Sequence, residues 1–543
     1  MARPLMALPF ASRLSAVVAR ALGKAACAVF LTVVTLAVMA PTPARAAPLS
    51  IGLAADVSSL DPHYLNAAPN IGVASHFFET LVAVDKDGQL VPGLAQSWQA
   101  INPTTWEFKL RPGVKFHDGS PLTVEDVVFS LERPASLTQS PGPFTGFTKA
   151  ISAKKVVDAH TLRLTTAQPY GPLPLDLASI FIVSKKAAAK ATTEDFNSGK
   201  ALVGTGPFRL VKFRRGEAVE MARFDGYWSD KPAWESVTLR ILPADAPRLA
   251  ALLAGQVDMI EGVPGADVAR LKKDARFRLE QRVSWRTLFL QLDLFRDASP
   301  FVTDNAGRPL DKNPLKDLKV RQALSRAINR EALAARTLDG LGVPASRLVA
   351  PGIPGHGEKP AAEPYDPEGA KRLLAEAGYP EGFRLTLHGP NNRYLYDEQV
   401  LQTLAQFFSR IGIKTQVETL PLAAYFGRLR HADFSAALLG WGSLSGDFAL
   451  RTLLGTPDEK TGWGAWNWGR FSDARVDADI REALASTDAG RRNRAAETAM
   501  NQAMQQLPVI PLHHQVATWA LRAGLSYPAR VDEFTFAAQV RPR

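Results

Sequence analysis

Apolar and polar positions alternate with two periods along this chain, and one stretch breaks both. Residues 436–447 read AALLGWGSLSGD. The apolar run 436–439 predicts a buried strand. It stops at Gly440, Trp441 and Gly442, and a polar loop of Ser443, Leu444, Ser445, Gly446 and Asp447 follows. In α/β proteins ligands sit at the carboxyl ends of strands. An aromatic plate beside glycines and a carboxylate suits a small-molecule pocket. The plainer alternative is a tryptophan packed at a strand end with a turn after it. Elsewhere, period two predicts strands over 48–55, 105–110 and 516–521. A helical stripe of Val400, Leu404, Phe407 and Ile411 stops at Gly412, and 413–417 reads as a strand.

The first 46 residues differ from the rest. They carry Arg3, Arg13, Arg20 and Lys24 ahead of a sixteen-residue apolar run, 25–40, and hold no acid. The run is shorter than the ~20 residues of a membrane span. Pro41 and Pro43 break it, and Ala44-Arg45-Ala46 supplies a small-x-small site. This predicts a secretory signal peptide cleaved before Ala47, with an uncleaved anchor as the alternative. Cys27 lies inside the apolar run and makes a poor lipoprotein acylation box, so a periplasmic protein without a lipid anchor is expected. It is the only cysteine, so the mature chain can have no disulfide, thiol catalysis or cysteine metal site. The 497 residues beyond Ala46 suffice for two or three domains with a large core.

Charge adds little. The 64 basic residues, less the five of the leader, against 53 acidic ones leave the mature chain at +6. No basic stripe with interleaved aromatics occurs, so no nucleic-acid partner is expected. There is no phosphate loop, nucleophile elbow or paired metal-ligand motif, so neither catalysis nor a cofactor is expected. Adjacent His513 and His514 would point to opposite faces of a strand and make a poor shared metal site.

The most informative block is GQLVPGLAQSWQAINPTTWEFKLRPGVKFHDGSPLTVEDVVFSLER, residues 88–133. A strand at 105–110 turns at Arg111-Pro112-Gly113, and a short second strand starts at 114–116. Thr123 caps a helix, Asp126 completes a capping box, and Val127, Val128 and Leu131 form its apolar face. Pro92 to Ala95, Ser97-Trp98, Leu110-Arg111 and Gly113 to Gly119 together resemble the hallmark of the family-five extracytoplasmic solute-binding proteins. These are the oligopeptide, dipeptide and nickel receptors of ABC importers. Within this block His117 reads as structural. Further matches follow in the family's order: Gly204-Thr205-Gly206-Pro207-Phe208, RLAALLAGQVD at 248–258, Val320-Arg321-Gln322-Ala323-Leu324, and Tyr365-Asp366-Pro367 ahead of a helix ended by Gly378.

The resemblance implies two α/β lobes joined by two hinge strands and closing on a ligand like a clamp, with an extra subdomain in the first lobe. On this chain the first lobe would be 47–288, with the inserted subdomain at about 78–201. The second lobe would be 289–512, and 513–543 would return to the first.

The expected function is a receptor that binds a peptide or peptide-like solute and delivers it to the membrane permease subunits of an ABC transporter, as a monomer. In peptide-binding relatives an aspartate three residues after the Gly-Trp tryptophan holds the α-amine. Here that position is Leu444. Either Asp447 replaces it, or the ligand has no free α-amine. Asn391-Asn392-Arg393-Tyr394 stands where relatives place an arginine, so Arg393 is the expected partner of a ligand carboxylate. Tyr394 and Tyr396 wall the pocket or cap the helix. Ser58, Ser59 and Leu60 occupy a loop that faces the ligand in relatives. Trp441, Gly442 and Ser443 complete the expected site. Two other readings stand beside this one: a receptor for a non-peptide carboxylate, opine-like or metal-chelate solute, and an extracytoplasmic chaperone or enzyme on the same scaffold.

Overall fold

A computed structural model describes residues 48–137, 139–357 and 363–543. The expected signal peptide lies outside the described residues. Residues from Pro48 to Arg543 form one compact unit.

Two long antiparallel strands run through the middle of the principal sheet, Phe277–Leu292 and Val509–Arg522. They pair from Phe277↔Arg522 to Gln291↔Val509, with register shifts between Val283 and Thr287 and between Leu288 and Phe289. Pro511 falls at the second shift, where a missing N–H is tolerated. The first of the two strands reads as charged and half-buried up to Val283 and apolar and buried from Leu288. It therefore crosses from a solvated setting into a core.

On one side the sheet continues through Met259–Glu261, Leu49–Leu53, Ser236–Ile241, Ala218–Arg223 and Phe208–Arg214. Leu49–Leu53 is parallel to both of its neighbours. On the other side lie Ala436–Gly442 and Arg384–Pro390, with Lys414–Leu420 and Val302–Thr303 pairing to the latter. Arg384–Pro390, Lys414–Leu420 and Ala436–Gly442 are joined in chain order by helices Asp397–Ser409 and Leu422–Arg430. This is the helix-linked arrangement that parallel strands require. The expected stripe of Val400, Leu404 and Phe407 is the buried face of helix Asp397–Ser409.

A separate four-stranded sheet has the order Ala95–Asn102, Thr105–Leu110, Thr161–Thr166, Ile151–Asp158. Its inner face, with Phe108, Leu162 and Leu164 fully buried, joins a core that includes Val127 and Leu131 of helix Val124–Ser136. The predicted capping box is present: Thr123 accepts from the Asp126 amide at 3.4 Å, and Asp126 accepts from the Thr123 amide at 3.0 Å. His117 ties this region to the next. Its Nε2 bonds Gly206 O at 2.9 Å, and its own amide donates to Gly204 O at 2.9 Å. The same core reaches the helices Gly446–Leu453, Ala474–Ala485 and Ala489–Gln505.

Three local expectations change. The short strand at 114–116 is a single bridge, Lys115↔Pro121. The strand at 516–521 begins at Val509. The strand from Ala436 continues through Trp441 to Gly442, and Gly446–Leu453 is a helix, so the polar loop shrinks to Ser443, Leu444 and Ser445. Ser445 caps that helix, its Oγ accepting from the Phe448 amide at 3.3 Å. Ser-x-x before a mixed apolar run is a cap signal that the glycines obscured.

Candidate functional site

The end of strand Ala436–Gly442 is held by the first long strand through Leu288↔Gly440, Thr287↔Trp441 and Arg286↔Gly442. Gly440 and Gly442 share one face of the strand and Trp441 takes the other. Each glycine seats an aromatic ring. A Cβ on Gly440 would come within 2.6 Å of Tyr394, and one on Gly442 within 2.6 Å of the Trp285 indole. Tyr394 also donates its hydroxyl to Gly440 O at 3.3 Å. On the opposite face Trp441 stacks with Phe448 at 5.9 Å and meets Trp466 at 5.1 Å, and Trp466 meets Trp468 at 4.8 Å. The Nε1 atoms of Trp285 and Trp441 are buried without a hydrogen-bond partner among the described residues.

Arg286, beside Trp285, is buried and paired with Glu533 at 2.6 Å. Glu533 has φ of 66°, an uncommon backbone for a non-glycine residue. Its carboxylate also accepts from Ser284 Oγ at 2.8 Å and Gln515 Nε2 at 2.9 Å. One side chain thus grips both long strands at their register shift. Burial disfavours the Arg286 charge, but the Glu533 carboxylate outweighs it and raises the arginine's pKa.

Arg393 lies close enough to feel this pair. Its guanidinium makes no ion pair and no hydrogen bond among the described residues, and lies 5.3 Å over the Tyr394 ring. Burial, and then the neighbouring Arg286 cation, push its pKa down. A half-buried guanidinium outside any ion pair is free to donate charge-assisted hydrogen bonds. The backbone around it is fixed by Asp397, which accepts from the amides of Arg393 at 2.9 Å and Tyr394 at 3.1 Å.

The other expected residues fall into two groups. Ser443, Leu444 and Asp447 stay with the Trp441 cluster. Ser443 is buried and donates to Ser445 O at 2.6 Å, so its hydroxyl shapes the turn. Leu444 packs into the core opposite Gly88. Asp447 is 1% exposed in the first turn of its helix. The rest are engaged elsewhere. Asn391 and Asn392 are exposed, and Asn392 Oδ1 accepts from the Leu422 amide at 2.9 Å. Tyr396 has φ of 53°, and its hydroxyl donates to Asp339 at 3.1 Å and accepts from the Gly265 amide at 3.0 Å. Ser58 accepts from Asn70 Nδ2 at 3.2 Å. Ser59 Oγ and the Leu60 amide both donate to Asn197 Oδ1, at 3.1 and 2.8 Å.

Sequence reasoning missed Trp285, Arg286, Glu533 and Phe448. The one signal was Trp285-Arg286 just ahead of the apolar run Leu288, Phe289, Leu290, which predicts a strand that buries a charge. Glu533 carries no local signal, because its backbone conformation is set by the strands it grips.

The family model for bacterial extracellular solute-binding proteins, family 5, matches residues 89–459. The chain belongs to this family. It is 30% identical to the glutathione-binding protein GsiB of Pectobacterium atrosepticum, over 88% of this chain and 90% of the relative. It is 28% identical to the dipeptide-binding protein of Escherichia coli K12, over 78% of this chain and 81% of the relative. The periplasmic binding protein DppA of Helicobacter pylori, solved with the peptide STSA, superposes with a TM-score of 0.76. That match has 23% identity and covers 91% of this chain and 98% of that one. The fold is the two-lobed α/β clamp of periplasmic binding proteins, and the protein is an extracytoplasmic solute receptor. Among the described residues no helix is long and apolar enough to cross a membrane, and no cluster of three His, Cys, Asp or Glu is placed to hold a metal.

Proposed function

We propose that this protein is the periplasmic receptor of an ABC importer for a peptide or peptide-like solute, acting as a monomer by binding and release and not by catalysis. The lobes of the clamp are 47–288 and 289–512, with the subdomain at about 78–201 and the return at 513–543. Two features support this division: the paired long strands bridge the halves of the sheet, Phe277–Leu292 holding Ala436–Gly442 and Val509–Arg522 holding Met259–Glu261, and the four-stranded sheet stands apart from it. The solute lies at the Gly440–Gly442 strand end, and Arg393 takes its carboxylate.

The observation that carries the reading is the Arg393 guanidinium, held by a fixed backbone beside Tyr394 and outside any ion pair among the described residues. Relatives named for a dipeptide and for glutathione support a ligand that carries a carboxylate. Native mass spectrometry of the freshly purified mature protein tests this directly. A co-purifying peptide-like mass, lost on mild unfolding, is expected. A co-purifying solute without a carboxylate would overturn it.

A further inference from the structure

The two long strands change company at their first register shift. Val283 faces Val516 and Thr287 faces His514, so Ser284, Trp285 and Arg286 stand opposite Gln515 alone. A bulge of this kind bends its strand. Within it the chain passes from one anchorage to another. The Trp285 amide donates to Val531 O at 2.9 Å. Arg286 pairs instead with Gly442, and Thr287 and Leu288 continue that ladder with Trp441 and Gly440. The step from Trp285 to Arg286 is where one half of the sheet hands over to the other.

Val531 belongs to the segment after the return strand, which is fastened to the first half on both sides of Glu533. Before Glu533, the Val531 amide donates to Lys86 O at 2.9 Å and Arg530 Nη2 to Val84 O at 3.0 Å. After it, Thr535 Oγ1 donates to Glu261 Oε2 at 2.5 Å. Glu533 reaches from this strap into the bulge. Its Oε2 accepts from Arg286 Nε at 3.0 Å and Nη2 at 2.6 Å, while its Oε1 accepts from Ser284 and Gln515. A carboxylate fixed to the first half is thus paired with an arginine whose backbone is fixed to the second.

On the two-lobe reading above, this is the shut clamp. Lys149 of the proposed subdomain donates to Glu459 O of the second lobe at 2.6 Å, and Phe147 stacks on Phe448 at 6.0 Å and 17°. Turning one half against the other about residues 285–286 pulls the Arg286–Glu533 pair out of line. Forked pairs of this kind are strong and directional. A buried one that loses its partner is costly.

We propose that Glu533 is a positioning residue for solute capture: its pair with Arg286 locks the pivot at the shut angle. This rests on the clamp reading and adds to it a residue that sets affinity from the pivot and not from the pocket. A solute gripped by the shut form is held more tightly when that form is more populated.

The test reads the distance between the lobes. Cys27, the one cysteine, lies in the expected leader, so nitroxide labels at Lys149→Cys and Lys460→Cys are the only thiol labels on the mature chain. Pulsed electron spin resonance then gives their separation, after refolding from denaturant to strip any solute. Arg286→Met with Glu533→Gln removes the pair from both sides. This variant is expected to keep a denaturation midpoint close to the wild type and to shift the distances longer. Glu533→Asp keeps the charge, suits the φ of 66° better, and is one carbon too short to grip both strands. It is expected to give the same shift, and it decides the matter if the double variant does not fold. Distances unchanged from the wild type would overturn the lock whatever the midpoint does, since a purely structural pair moves the midpoint alone. That outcome would leave the receptor reading standing, because the co-purifying solute tests it separately.

Discussion

Arg451 and Asp176 are 275 residues apart in sequence and meet at 2.6 Å in a buried ion pair. Around it the loop at Gly171 and the end of helix Ala474–Ala485 lock together. The Gly171 amide donates to Leu484 O at 2.7 Å, and a Cβ on Gly171 would collide with the backbone of Ser486. Burial disfavours the Asp176 carboxylate and raises its pKa. The pair is therefore sensitive to the loss of its partner.

Arg451→Met leaves two buried carboxylates with no cation. Breaking a buried pair from one side costs about 3–5 kcal/mol. Chemical denaturation followed by tryptophan fluorescence is expected to show a lowered midpoint of that size. Asp176→Asn together with Arg451→Met is expected to recover most of it, since the pair is then removed from both sides.

Gly442→Ala puts a methyl group on the Trp285 indole. Overpacking of this kind costs about 1–3 kcal/mol. The expected outcome is a folded protein with shifted tryptophan emission and weaker solute binding. Wild-type affinity would mean that Trp285 is free to move and does not shape the site.

Arg393→Ala is expected to weaken binding of a carboxylate-bearing solute at least tenfold, about 1.4 kcal/mol. Binding of the corresponding amide should change little. Isothermal titration of the acid and the amide separates the two. Stability should change little, because among the described residues the guanidinium makes no ion pair or hydrogen bond and only the contact over the Tyr394 ring is lost.

Buried histidines set an acid limit. Burial pushes His63, His76 and His117 down to about 4, and His513 and His514 down to about 3. In the unfolded chain these groups take up protons near pH 6.5. The stability they contribute is full above that value. It falls as pH drops from 6.5 towards 4 and 3, where the native state at last accepts the protons. Melting temperature should therefore decline steadily over this window, and His117→Gln should make the decline shallower.

Much of this fold can be read from local pattern. The alternation at 105–110, the Thr123 capping box and the stripe of Val400, Leu404 and Phe407 are each decided by neighbours a few residues away, and each stands in the structure; only Ile411 of the stripe falls beyond the helix, which ends at Ser409. The strand end at Trp441 was legible as a place, because aromatic and glycine residues at the end of an apolar run have few other uses. Its partners were not. Trp285, Glu533 and Asp176 reach it from distant parts of the chain, and nothing local distinguishes them from a surface tryptophan or an ordinary acid. The helix at Gly446–Leu453 was hidden because the three glycines and two serines of 440–446 read as a loop, while tertiary packing of Ala449, Leu450 and Leu453 wins.

The placing of strand Val509–Arg522 has a consequence for how the protein is born. It pairs with Phe277–Leu292, with Met259–Glu261 and with Gly342–Pro344, so it sits at the centre of a sheet whose other members precede it. A chain emerging amino terminus first from a ribosome or a translocation channel exposes those partners as open edges for most of its synthesis. Such edges invite pairing with other chains. Native assembly of the sheet has to wait for residues 509–522 to arrive, so everything ahead of them stays threadable until they have passed.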